Sequence, residues 1–137
     1  MTINISFAEI AAYVKTHYGK DVELSRAGEQ ELRVAYVQRA VIASIRVPVT
    51  LRIDCAHCDA MELSYSGPLG IDKLIRATVA FLVYKKPELR GVLSVASGNR
   101  ITVELSQLDR MRPVLEKVAL RDIAVVDDGL GIEVELK

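Results

Sequence analysis

Apolar positions recur along this chain in two rhythms, one of period 3.6 and one of period two. Phe7, Ile10, Ala11, Val14 and Tyr18 follow the spacing of a helix with one buried face. Ser6 precedes that stripe and Glu9 follows it by three, the spacing of a capping box. Ile5 and Ile10 stand at hydrophobic-staple positions, and Gly19 stops the helix. The period then falls to two. Val22 and Leu24 alternate with Glu23 and Ser25, and Leu32, Val34 and Tyr36 with Arg33 and Ala35, with Gly28 in the turn between. The longest alternation runs through Ile45, Val47, Val49, Leu51 and Ile53, with Arg46, Pro48, Thr50 and Arg52 on its other face. Pro48 cannot donate to a ladder, which predicts an edge strand or a bulge. Met61, Leu63 and Tyr65 return antiparallel to it, and Gly67-Pro68 closes the meander.

The second half repeats the alternation of helix and hairpin. From Ile71 to Tyr84 the chain is apolar almost all round, a helix that must be central or covered, and Pro87 ends it. Val92 to Ala96 and Ile101 to Leu105 form a hairpin around Gly98-Asn99, a pair suited to positive φ. Ser106 is expected to cap a third helix, with Leu108, Met111, Leu115 and Val118 on its buried side and Pro113 forcing a kink or a restart. Ile123–Val126 and Ile132–Leu136 form a last hairpin through Asp128-Gly129. The fold class that follows is α+β. A mainly antiparallel curved sheet, a meander plus hairpins, packs against three helices in a recurring helix-strand-strand order. Neither a linker nor a low-complexity stretch divides residues 1–137, so one domain is expected.

Composition narrows the function classes. Eighteen basic residues balance eighteen acidic ones, which argues against a nucleic-acid partner. Half the residues are hydrophobic and mean hydropathy is +0.22, high for a chain this small. The longest apolar stretch, Ala77 to Tyr84, is too short for a transmembrane segment. Met1 to Phe7 lacks the features of a signal peptide, so a cytoplasmic setting is expected.

Cys55-Ala56-His57-Cys58 carries the clearest chemical reading. A Cys-x-x-Cys after a strand is the thioredoxin-like spacing, in which a helix N-terminus lowers the first thiol's pKa and an intervening His stabilises the thiolate. Here Asp59 to Ser66 alternates as a strand instead, and no proline follows where that pattern needs one. The same turn offers two thiolates to zinc, but a structural site wants four ligands and no second cysteine pair exists. The plainer expectation is that Cys55 continues the inward face of Leu51 and Ile53, with His57 and Cys58 at a hairpin tip. No nucleophile elbow, phosphate loop or metalloprotease motif is present, and neither a cofactor nor catalysis is expected. His17 reads as a helix-end residue and Asp127-Asp128 as a turn. Arg33, Arg39, Arg46 and Arg52 would form a basic patch only if strand register gathered them; cross-strand carboxylates such as Glu23, Glu31 and Glu62 would otherwise neutralise them.

What needs an explanation is the greasy second helix. Burial in the monomer, a homo-oligomer interface, or a cavity for an apolar ligand would each cover it. Curved sheets wrapped on a long helix occur in lipid carriers. The leading expectation is therefore a non-enzymatic binding module for an apolar or amphipathic, lipid-like small molecule, held by Ile45, Val49, Leu74, Val79 and Leu82. The alternatives are a homodimeric interaction or assembly domain, and a thiol-redox or metal-binding protein using Cys55, His57 and Cys58.

Overall fold

Ser6 starts the first helix by the mechanism its spacing predicts. A computed structural model of the chain describes residues 1–39, 42–57 and 59–137. In it α1 spans Phe7–Tyr18. The Ser6 hydroxyl accepts from the Glu9 amide at 3.1 Å, and the Ser6 amide donates to the Glu9 carboxylate at 3.1 Å. Gly19 closes the helix at φ +67°, its amide donating to the Lys15 carbonyl. Replacing Ser6 by Ala leaves the Glu9 amide without its acceptor, and a loss of about 1 kcal/mol in denaturant-monitored stability is expected.

Among the described residues nine strands form two antiparallel sheets. The larger has six strands: β2 (Asp21–Arg26), β3 (Glu31–Arg39), β4 (Ser44–His57), β5 (Ala60–Ser66), β7 (Arg100–Glu104) and β6 (Leu93–Ala96), in that spatial order. The smaller runs β1 (Thr2–Ser6), β9 (Gly129–Leu136), β8 (Val118–Val126). The architecture is α+β with antiparallel sheets, and each of the three helices is followed by a strand pair. It differs from the expected single sheet because β1, unforeseen in the sequence, pairs with β9 and draws the last hairpin into a sheet of its own.

Main-chain bonds tie the sheets together at one corner. The Val125 amide donates to the Glu29 carbonyl at 3.1 Å, and the Ile53 amide to the Gln30 carbonyl at 2.8 Å, so two adjacent residues serve both sheets. Arg26 adds an ion pair to Asp127 at 2.9 Å.

The third helix departs from its expected start. Leu105–Gln107 is a short 3-10 turn, Ser106 caps nothing, and α3 runs only from Arg112 to Lys117. Pro113 sits in its first turn, where a missing amide costs nothing, so the proline begins the helix rather than interrupting a longer one. Val118, expected on its buried face, opens β8 instead.

β4 is an interior strand, not the edge that Pro48 suggested. Its pairing with β5 begins only at Thr50, so at Pro48 the paired neighbour is β3 alone. The bulge falls further along, where Ile53 pairs with Leu63 and Cys55 with Glu62, leaving Asp54 as the extra residue. That extra residue shifts the phase of everything beyond it. Ala56 takes the inward position, 8% exposed, and Cys55 turns to the opposite face beside Glu62 and Thr102. The expected inward Cys55 is thereby corrected.

Two apolar clusters fill the interior. One joins Phe7 of α1, Leu32, Ile53 and Ala56 of the large sheet, and Leu120, Ile123 and Val125 of β8. The other joins Val49, Tyr65, Ile101 and Val103 to Ile71 and Ile75 of α2 (Ile71–Lys85) and to Val92. Leu51, Met61, Leu63 and Leu105 pack against both.

Candidate functional site

Helix α2 crosses the apolar face of the large sheet but does not close on it. Only Ile71 and Ile75 are buried. Leu74, Val79, Phe81, Leu82 and Val83 are half-buried, whereas an all-round apolar helix was expected to be covered. The first turn is held by a side-chain clamp. The Tyr65 hydroxyl donates to Asp72, and Arg76 donates to the other oxygen of that carboxylate at 3.1 Å. The hydrogen bond between them raises the Tyr65 pKa and lowers that of Asp72. The Asp72 contribution is present above the ordinary carboxylate range and lost on acidification; that of Tyr65 is present below the ordinary phenol range and lost as pH rises past it.

Beyond this anchor the space under the helix is a cavity of about 270 Å³. Among the described residues fourteen line it and twelve are aliphatic, the exceptions being Tyr36 and Thr78. The helix supplies Leu74, Ile75, Thr78, Val79 and Leu82, a stripe at i, i+1, i+4, i+5 and i+8. The floor comes from inward positions of the sheet, among them Val34, Val49, Leu51, Leu63 and Ile101. Thr78 does not make this surface polar, because its hydroxyl donates to the Leu74 carbonyl at 2.7 Å. An engineered apolar cavity of ~150 Å³ stays dry and binds benzene. This one is nearly twice that size.

A second hollow of about 310 Å³ adjoins the first and shares Tyr36, Leu74 and Thr78 with it. Among the described residues its remaining lining is Lys20, Gln38, Val47, Ala77 and Phe81, so an ammonium and an amide join the shared Tyr36 and Thr78 here. Lys20 directly follows the Gly19 cap, which turns the chain from α1 into β2 opposite α2. The Tyr18 ring approaches Phe81 with centroids 6.3 Å apart. The Lys20 ammonium lies 5.0 Å from the centre of the Phe81 ring and that of Lys85 5.8 Å from it.

Comparison with protein-family models, curated proteins and solved structures finds no match for this chain.

Four of the five expected ligand-lining residues, Val49, Leu74, Val79 and Leu82, surround one cavity. Ile45 does not; it is 55% exposed, because alternation assigns a face to a strand end without assigning anything to cover it. Cys55 lines a separate small hollow with Glu62, Thr102 and Glu104 on the sheet's other face. Cys58 and the side chain of His57 lie outside the described residues. His17 is exposed on α1 and meets the Tyr13 ring at 4.1 Å, and Ser64 donates to Asp54 at 3.2 Å. The β3–β4 register puts Arg33, Arg46 and Arg52 on one face of the sheet, where two of the three have acidic partners. Arg46 pairs with Glu23 at 3.0 Å and Arg52 with Asp54 at 3.6 Å, and the side chain of Arg39 lies outside the described residues. Among the described residues no helix is long and apolar enough to cross a membrane.

Proposed function

We propose that this chain is a binding module holding the aliphatic part of a small amphipathic molecule between α2 and the six-stranded sheet. The observation that carries the reading is the cavity of about 270 Å³ with its twelve aliphatic lining residues. An occupant would shield from water aliphatic side chains that are otherwise half-exposed, which favours its binding. Scaling from the six carbons of benzene in ~150 Å³ gives room for about ten carbons.

The test uses neutral linear alcohols of increasing length, titrated calorimetrically. Each methylene taken into the cavity contributes about 0.8 kcal/mol, so affinity is expected to rise about fourfold per carbon and level off near ten carbons. Failure to bind any alcohol, or an affinity indifferent to chain length, overturns the reading.

A further inference from the structure

The adjoining hollow suggests what the other end of such a molecule carries. We propose, resting on the reading above, that the ligand is a medium-chain fatty acid whose carboxylate is held by Lys20 and by the hydroxyl of Tyr36. Tyr36 and Lys20 both line the hollow, and Tyr36 also lines the aliphatic cavity, so the phenol stands where the chain of a ligand would end and its head begin. Among the described residues the Tyr36 hydroxyl has no hydrogen-bond partner and the Lys20 ammonium no carboxylate. A half-buried donor and a half-buried cation left in this state suit an oxyanion that accepts from both.

The surrounding charges point the same way. Lys85 brings a second ammonium to the Phe81 ring. Acids near the opening already have cations among the described residues: Asp21 pairs with Lys15 at 3.2 Å, Glu23 with Arg46, and Glu88, whose charge reaches Tyr18 beside Phe81, with Arg110. With those acids paired, two ammonium groups stand at the Phe81 ring, whereas no described residue lining the cavity behind it is charged. A cationic head would meet two ammonium groups, and a neutral head would leave the lysine without an anion.

The experiment compares decanoate, decanol and decylamine by isothermal titration at pH 7.4, below the concentrations at which each self-associates. Decanoate is expected to bind about tenfold tighter than decanol, with decylamine weakest. Lys20→Met, which keeps the length of the side chain, is expected to bring decanoate down to the level of decanol, and Tyr36→Phe to narrow the gap about threefold. Lys117→Met, equal in net charge to Lys20→Met but outside both hollows, is expected to leave the ratio as it is. Equal binding of decanoate and decanol, or a ratio that falls equally in the Lys117 variant, overturns the assignment of an anionic head while leaving the aliphatic site in place. Binding of none of the three overturns the site itself.

Discussion

Replacing Gly129 by Ala is expected to cost about 3 kcal/mol and to lower Tm by about 10 °C, whereas the same change at Gly131 has an effect within about 0.5 kcal/mol. Both glycines are buried in β9 two residues apart, and neither has positive φ. They differ in what a Cβ would meet. At Gly129 it would fall 2.1 Å from the Ile5 carbonyl oxygen and 2.8 Å from the Ser6 Cα, both main-chain atoms of β1 that cannot rotate away. At Gly131 the nearest atom is a side-chain oxygen of Asn4 at 3.5 Å, an ordinary contact. The damage at Gly129 would spread, because β1 leads straight into the α1 cap and the Phe7 amide donates to the Asp128 carbonyl at 2.7 Å. Thermal denaturation of the two single variants decides the matter. Equal melting temperatures would mean that β1 does not press on β9 as described.

Val79→Phe is expected to abolish binding of a ten-carbon alcohol, lowering affinity at least thirtyfold, while Tm stays level or rises. Val79 is half-buried and points its methyls into the cavity, so an aromatic ring there occupies the volume assigned to the ligand. Filling a void adds dispersion contacts that the wild type lacks, which is why loss of binding should come without loss of stability. That pairing separates a blocked site from a broken fold. A variant that still binds decanol as the wild type does would place the alcohol elsewhere.

How much of this was legible before folding depended on the range of the interactions. The capping box of α1 involves residues three apart, and the hairpins pair residues close in sequence, so both could be read directly. Strand β1 could not. Thr2 to Ser6 is short and its partner is Gly129 to Glu133, at the other end of the chain, so nothing local marks it. Gly129 was misplaced for the same reason. It reads as a turn residue after Asp128, yet it is the first residue of β9, and its smallness serves the approach of β1 rather than a positive φ.

The bulge at Asp54 escaped because alternation carries no marker for one inserted residue, and so Cys55 was given the wrong face. The cavity was legible in outline, since a helix as apolar as Ile71 to Tyr84 demands cover. Its polar opening was not. Lys20 lies on a different stretch of sequence from Tyr36 and Gln38 of β3, and the turn at Gly19 with the β2–β3 pairing brings them opposite Phe81.

Leu51, Met61, Leu63 and Leu105 belong to both apolar clusters, with the cavity floor passing through Leu51 and Leu63. An occupant resting on those two leucines would thus complete an interior that the chain leaves partly built. Ligand concentration then enters the folding equilibrium itself: at a hundred times the dissociation constant, mass action adds about 2.7 kcal/mol to the native state. For such a molecule, the amount of ligand in its surroundings would help set the fraction of the chain that is folded.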